Sequence, residues 1–261
     1  MKGYRKIVFI VCTLYSVLCT PLFAQEEKWG MNNPYVDDKL FHMGFQIGAV
    51  FTSYRVTCAE DTVTVYMRDP DGINRPRLDT LHARVSAPGY GFRVAFISDI
   101  RLCRYLNLRF TPGLEFTTTT LQYKAVSGKP IQNSNGKPAD NTSVMMLPID
   151  FPFYLKFSAK REGNYRPYVI AGGGVSFNVL RLNDRPIYLN VTDYFCQVGF
   201  GCDFYFRWFK LCPEISYRIG FANQLCPTKD RPAGLGSNDA FYTNAISSLM
   251  NQAICLTFNF E

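Results

Sequence analysis

Residues 254–261, Ile254-Cys255-Leu256-Thr257-Phe258-Asn259-Phe260-Glu261, alternate apolar and polar side chains almost perfectly. A period of two is the periodicity of a β-strand, whose successive side chains point to opposite faces. One face here is built from Ile, Leu and Phe and the other carries Thr and Asn. That division suits a wall standing between lipid and a polar interior.

Seven earlier segments repeat the pattern, and each can be written by its apolar parity. They are Phe41–Phe51, Tyr90–Phe96, Leu106–Phe116, Met145–Phe157, Pro167–Val179, Tyr194–Phe206 and Phe209–Phe221. Most reach the roughly 9–11 residues that a tilted crossing requires. The links between them alternate in length. Long ones cover about 52–88, 122–143, 181–191 and 222–248; short ones cover 98–105, 158–164 and the pair Arg207-Trp208. Long outer loops alternating with tight periplasmic turns, and an even number of strands, predict an all-β, eight-stranded antiparallel up-and-down transmembrane β-barrel with both termini in the periplasm. A soluble sandwich or lipocalin-like barrel also alternates. The density of Phe, Leu, Ile and Tyr on the outward parity favours the membrane barrel.

The start of the chain agrees with export. Lys2, Arg5 and Lys6 precede the apolar stretch Ile7–Leu18, and Leu22-Phe23-Ala24 leads to a cleavage point between Ala24 and Gln25. The apolar stretch is too short to span a bilayer as a helix. Bulky Leu18 beside Cys19 favours ordinary cleavage over lipid modification. The expected organisation is a signal peptide over 1–24, a periplasmic segment over 25–39 and an outer-membrane barrel over 40–261. No other segment offers a spanning helix, so membrane residence requires a closed sheet.

The net charge of +7 falls by three when the signal is removed, and the remaining basic residues are scattered. Neither the charge nor its distribution points to nucleic acid. Seven cysteines follow the signal, an odd number without a CxxC spacing, which argues against a disulfide framework and against a zinc site. Cys58 and Cys226 fall in the first and last long loops, which become neighbours on closure of the ring, so a disulfide between them is an expectation in an oxidising compartment. A free thiol at each is the alternative.

The inward parity collects Arg93, Arg109, Lys156, Arg166, Lys210 and Arg218 against Glu115, Asp150, Asp193, Asp203 and Glu214. An eight-stranded barrel is just wide enough for side chains to fill. A lumen sealed by paired charges is therefore expected, with a conducting or ligand-binding pore as the competing reading. Gly172-Gly173-Gly174 and Gly199-Phe200-Gly201 complete no phosphate-binding fingerprint and suit close approaches in a barrel wall. His42 and His82 are the only histidines, and no nucleophile–base pair stands out. The sequence thus predicts no catalytic, metal or cofactor site, no small-molecule substrate and membrane lipid as the surroundings. Asp61-Thr62-Val63 and Asp79-Thr80-Leu81 resemble a short O-glycosylation acceptor of exported Bacteroidota proteins.

Specific strings carry a family resemblance. Ser98-Asp99-Ile100-Arg101-Leu102, Asn107-Leu108-Arg109-Phe110-Thr111-Pro112-Gly113-Leu114 and Asn164-Tyr165-Arg166-Pro167-Tyr168 resemble the PorT family of Bacteroidota outer-membrane barrels. So do residues 199–205, 209–214 and the Phe-Asn-Phe-Glu ending, whose phenylalanine also resembles an outer-membrane assembly signal displaced by Glu261. The resemblance implies an accessory component of the type IX secretion system, partnered by other components of that system, in the export of proteins bearing a C-terminal signal domain. It implies no active site; Asn107, Arg109, Asp203 and Glu214 become wall and lumen positions. A generic structural or surface-interaction barrel is the alternative, followed by a small-solute channel.

Overall fold

A computed structural model describes residues 31–59, 62–68, 71, 74–132, 138–179, 187, 189–226 and 240–261. The proposed signal sequence with Ala24 and Gln25, residue Asp61, and the tips of the second, third and last long connections lie outside these residues.

The described strands are β1 (Phe41–Cys58), β2 (Val63–Arg68), β3 (Asn74–Asp79), β4 (Leu81–Arg101), β5 (Leu106–Phe110), β6 (Gly113–Ala125), β7 (Ile131–Gln132), β8 (Asn141–Met146), β9 (Pro148–Ser158), β10 (Tyr165–Asn178), β11 (Thr192–Tyr205), β12 (Lys210–Gly220) and β13 (Ile246–Phe260); the helix α1 covers Ala240–Asn244. There are more strands than eight, yet the wall has eight staves. β5 and β6 are one stave interrupted at Thr111-Pro112, where proline has no N–H for the ladder. β8 and β9 are another, interrupted at Leu147, whose amide donates instead to Asn178 Oδ1 at 3.2 Å. Each stave is antiparallel to its neighbours, and β1 pairs with both β4 and β13, closing the ring. The C-terminal stretch is the closing stave, with Phe258 opposite Ile47 and Phe260 opposite Phe45. The remaining strands, β2, β3 and β7, form a separate three-stranded sheet.

Around the lower part of the ring the outward parity is apolar. On β1 this band runs from Phe41 to Phe51, with Phe45, Ile47 and Phe51 exposed. At roughly 3.3 Å per residue and a strand tilt near 45°, it stands about 25 Å tall, the height of an outer-membrane hydrocarbon belt. Stacked rings mark its lower edge, at Phe45–Phe260 (4.8 Å between centroids), Phe110–Phe153 (4.6 Å) and Phe206–Phe209 (4.9 Å). The connections after β4, β9 and β11 are short and lie at this end, together with the described N-terminal residues and Glu261.

The long connections depart from the sequence expectation. The first of them is largely strand rather than loop among its described residues. β1 continues to Cys58, β4 begins at Leu81 and β6 reaches Ala125, with β2 and β3 as a hairpin between the first two. Their inward residues form an apolar core that includes Val65, Met67, Leu81, Leu121, Tyr123, Ile131, Val144, Met146 and Leu249. Tyr242 on α1 closes it. Its ring meets Tyr123 edge-on at 5.0 Å, its hydroxyl donates to Ala139 O at 2.8 Å, and its own carbonyl accepts from Tyr123 at 3.1 Å. An apolar cap therefore covers the long-loop end of the barrel.

Candidate functional site: a filled lumen

The inward parity below the cap places charged side chains against one another across a space too narrow to leave them apart. Midway up, Arg93 on β4 and Arg218 on β12 face Glu115 on β6 and Asp150 on β9. Arg93 reaches Asp150 at 2.5 Å and Glu115 at 3.5 Å; Arg218 reaches Glu115 and Asp150 at 3.0 Å each. Arg93 Nε also donates to Gln46 at 3.0 Å, and Arg218 Nε to Gln197 at 3.2 Å. Tyr154 donates to the same Gln197 oxygen at 2.8 Å. Two cations share two anions, and surrounding amides occupy further donors.

From this quartet the network descends. Gln46 Nε2 donates to Asn259 Oδ1 at 2.7 Å, and Asn259 approaches the Tyr168 hydroxyl at 3.5 Å. Tyr168 donates to Glu214 at 2.9 Å and lies under the Lys156 ammonium, 4.1 Å from its ring centre. Its neighbour across β11 is Gly201, where a Cβ would sit 2.4 Å from the Tyr168 ring, so glycine makes room for the central aromatic. Arg109 joins Asp99 (2.9 Å), Glu261 (2.5 Å) and Glu214 (3.6 Å). Lys156 contacts both Asp203 oxygens at 2.8 Å, and Lys210 bridges Glu261 at 2.5 Å and Asp203 at 3.9 Å. Buried charges require such pairing, because an isolated ion in a low-dielectric interior is strongly disfavoured.

Nine of the charged residues expected in the lumen meet in this network: Arg93, Arg109, Glu115, Asp150, Lys156, Asp203, Lys210, Glu214 and Arg218. Two are placed differently. Arg166 stands at the short-turn mouth, donating to the Ala159 and Arg104 carbonyls and lying 3.7 Å from Asp37. It sits one residue into β10, too near the mouth to reach the deeper carboxylates. Asp193 is buried near the top of β11, where Gln224 Nε2 (2.6 Å) and the Ala222 amide (3.3 Å) donate to it in place of a cation.

Two further lumen charges, Asp99 and Glu261, are not among the residues the sequence singles out. The sequence pattern places Asp99 in the short link over 98–105, but β4 carries through to Arg101 with His42 opposite Asp99. Glu261 follows the inward parity of Thr257 and Asn259, so strict continuation of the alternation finds it. Cys58 and Cys226 are not joined in a disulfide. The Cys58 Sγ is engaged with the Ala83 backbone on neighbouring β4, at 3.3 Å from its nitrogen and 3.4 Å from its oxygen. Of the two acceptor-like tripeptides, Asp79-Thr80-Leu81 is the one-residue junction between β3 and β4, with the Thr80 amide donating to Asp79 and Leu81 buried.

The short-turn mouth is covered by the segment before β1. Asn32 and Asn33 donate to the Tyr205 and Phe206 carbonyls at 3.0 and 2.8 Å, while Asn32 O accepts from Arg161. Asp37 accepts from the Tyr205 hydroxyl at 2.8 Å and faces Arg161 and Arg166. No group of three or more metal-ligating side chains occurs among the described residues.

A family model described as outer membrane protein beta-barrel domain matches residues 23–225. The chain belongs to that family. No curated protein sequence matches this outer-membrane barrel. Among solved structures it is similar to the outer membrane protease OmpT from Escherichia coli, with 9% identity over 84% of this chain and 95% of that one and a TM-score of 0.37. The barrel thus carries a filled polar lumen between a covered mouth and an apolar cap.

Proposed function

We propose that this outer-membrane barrel is a non-conducting accessory component of the type IX secretion system, serving export of proteins that bear a C-terminal signal domain. The short-turn end faces the periplasm and the cap faces outward. The barrel has no catalytic role. The observation that carries the non-conducting part is the lumen itself: the Arg93–Arg218–Glu115–Asp150 quartet crosses it, and the apolar core closes it above. An eight-stave ring has no width to spare once such side chains are inside. A barrel of this kind cannot pass protein cargo, which fits an assembly or scaffold role beside a larger translocon. The secretion-system part rests on the PorT-like strings around Asp99, Arg109, Tyr168, Asp203 and Glu214.

Deletion of the gene tests the assignment. Signal-bearing cargo is expected to accumulate in the periplasm and to be restored by the intact gene. Normal export in the deletion strain overturns it. Planar-bilayer recording tests the sealed lumen separately, with electrical silence expected and a steady single-channel conductance contradicting it.

A further inference from the structure

Below the Phe45–Phe260 pair, β1 continues through Phe41–Gly44 without a paired β13 residue. The segment Asn33–Lys39 passes beneath this gap, and the turn Arg207–Phe209 borders it on the far side. The result is a cleft of about 450 Å³, within the range of small-molecule sites, opening at the lower rim of the apolar belt.

Its lining divides by chemistry. Phe41, Met43 and Phe209 belong to the exposed apolar face and continue directly into the lipid-facing belt. Lys39, His42 and Trp208 bring three donor side chains: among the described residues Lys39 and Trp208 make no side-chain hydrogen bond or ion pair, while His42, on the inward parity opposite Asp99, lies in the field of Asp99, Glu261 and Lys210. Lys210 on the floor is already neutralised by Glu261 and Asp203. An interfacial tryptophan needs no special explanation in a membrane barrel. An unpaired ammonium and an imidazole beside an apolar groove at the depth of the headgroups do call for an anion that carries its own hydrocarbon.

We propose that this cleft holds one anionic phospholipid, its phosphate between Lys39 and His42, its ester region against the Trp208 indole and an acyl chain along Phe41, Met43 and Phe209. The Lys39 ammonium supplies the complementary charge and the neutral His42 imidazole a further N–H donor, and the continuity of the groove with the belt sets the chain. The covering segment Asn33–Lys39 is held across the rim by the Asn32, Asn33 and Asp37 contacts, so the bound lipid fastens that segment to the wall.

Native mass spectrometry of the full mature chain released from detergent tests this with dioleoylphosphatidylglycerol, dioleoylglycerol and inorganic phosphate as separate probes. A single phosphatidylglycerol adduct is expected, with dioleoylglycerol bound about tenfold more weakly, as loss of a charge-assisted contact implies. Phosphate at equal concentration should neither bind nor displace the lipid. Lys39→Glu should reduce the adduct by a similar factor, and Trp208→Ala by a smaller one, both retaining heat-modifiable gel mobility because these side chains lie at the rim. Equal binding of dioleoylglycerol, or an unchanged adduct in Lys39→Glu, overturns the headgroup site. Binding of inorganic phosphate as tightly as the lipid reduces it to an anion site and overturns the lipid assignment.

Discussion

Strand β1 contains two regions that obey one geometry and opposite chemistry. From Phe41 to Phe51 its outward residues are apolar, and its inward ones include His42, Gln46 and two glycines. From Thr52 to Cys58 the parity is unchanged, but Ser53, Arg55 and Thr57 face out while Tyr54, Val56 and Cys58 face the interior core. β6 makes the same exchange, from inward Glu115 and outward Leu114 to inward Leu121 and Tyr123 and outward Gln122 and Lys124. Alternation is a property of the pleat; which side is apolar depends on the solvent outside. The lower region is packed inside out for lipid, and the upper region is packed like a water-soluble protein. Threonines 52, 117 and 119 occupy the buried level between them.

The comparison implies different failure modes, and the largest lies in the lower region. Arg109 is the cation for Asp99, which is fully buried. Replacing Arg109 by Met leaves that carboxylate and Glu261 short of their partner and is expected to destabilise the barrel by about 3–5 kcal/mol. Urea unfolding in detergent micelles checks this. Lys156→Met and Asp203→Leu should each be costly alone and markedly less so together, because the double change removes both ions of one pair. Additive losses would show that the lumen is not energetically a set of ion pairs.

On the outer face of the lower region, Val198 lies halfway along β11 and is exposed. Val198→Arg should cost about 2–4 kcal/mol in lipid vesicles, the penalty for a charge near the midplane. The upper region responds to a different change. Leu121 is completely buried in the cap, and Leu121→Ala should cost about 2–4 kcal/mol through lost burial and a cavity. Hydrogen exchange should show the loss confined to β2, β6, β7 and α1, with the lower staves still protected. Loss of protection throughout would mean that the two regions unfold as one.

This phase change also explains what was legible in the sequence. An apolar outward parity marks every lower stave and nine of the lumen charges, because Phe, Leu and Ile identify the lipid side without ambiguity. That parity ends at Phe51 and resumes only at Tyr90, since Arg55 and Arg84 occupy outward positions between them. The cap therefore reads as loops in the sequence. β4 shifts register twice between Val85 and Tyr90, and the two shifts together restore the parity, so Leu81 and Arg93 both face inward. Asp99 was lost at the other end, where outward Ser98 interrupts the apolar series. The pairing of Cys58 with Cys226 relied on loops being adjacent, whereas Cys58 is an inward residue of a strand and packs against the cap core. Sequence periodicity shows which side chains share a face. It does not show where the solvent changes.

The finest test concerns that boundary. Arg55 is exposed on the outward face of β1, four residues above Phe51. If water bathes this position, Arg55→Leu exchanges one solvated side chain for another, and stability should move by no more than about 0.5 kcal/mol. If lipid reached it, leucine would transfer from water to hydrocarbon and should stabilise the vesicle-embedded barrel by about 2 kcal/mol. Urea midpoints measured in vesicles, with an unchanged denaturant slope, separate these outcomes. A gain near the larger value would raise the edge of the hydrocarbon by one turn of the alternation and place part of the cap inside the membrane. A change near zero fixes the exchange of inside and outside between Phe51 and Arg55.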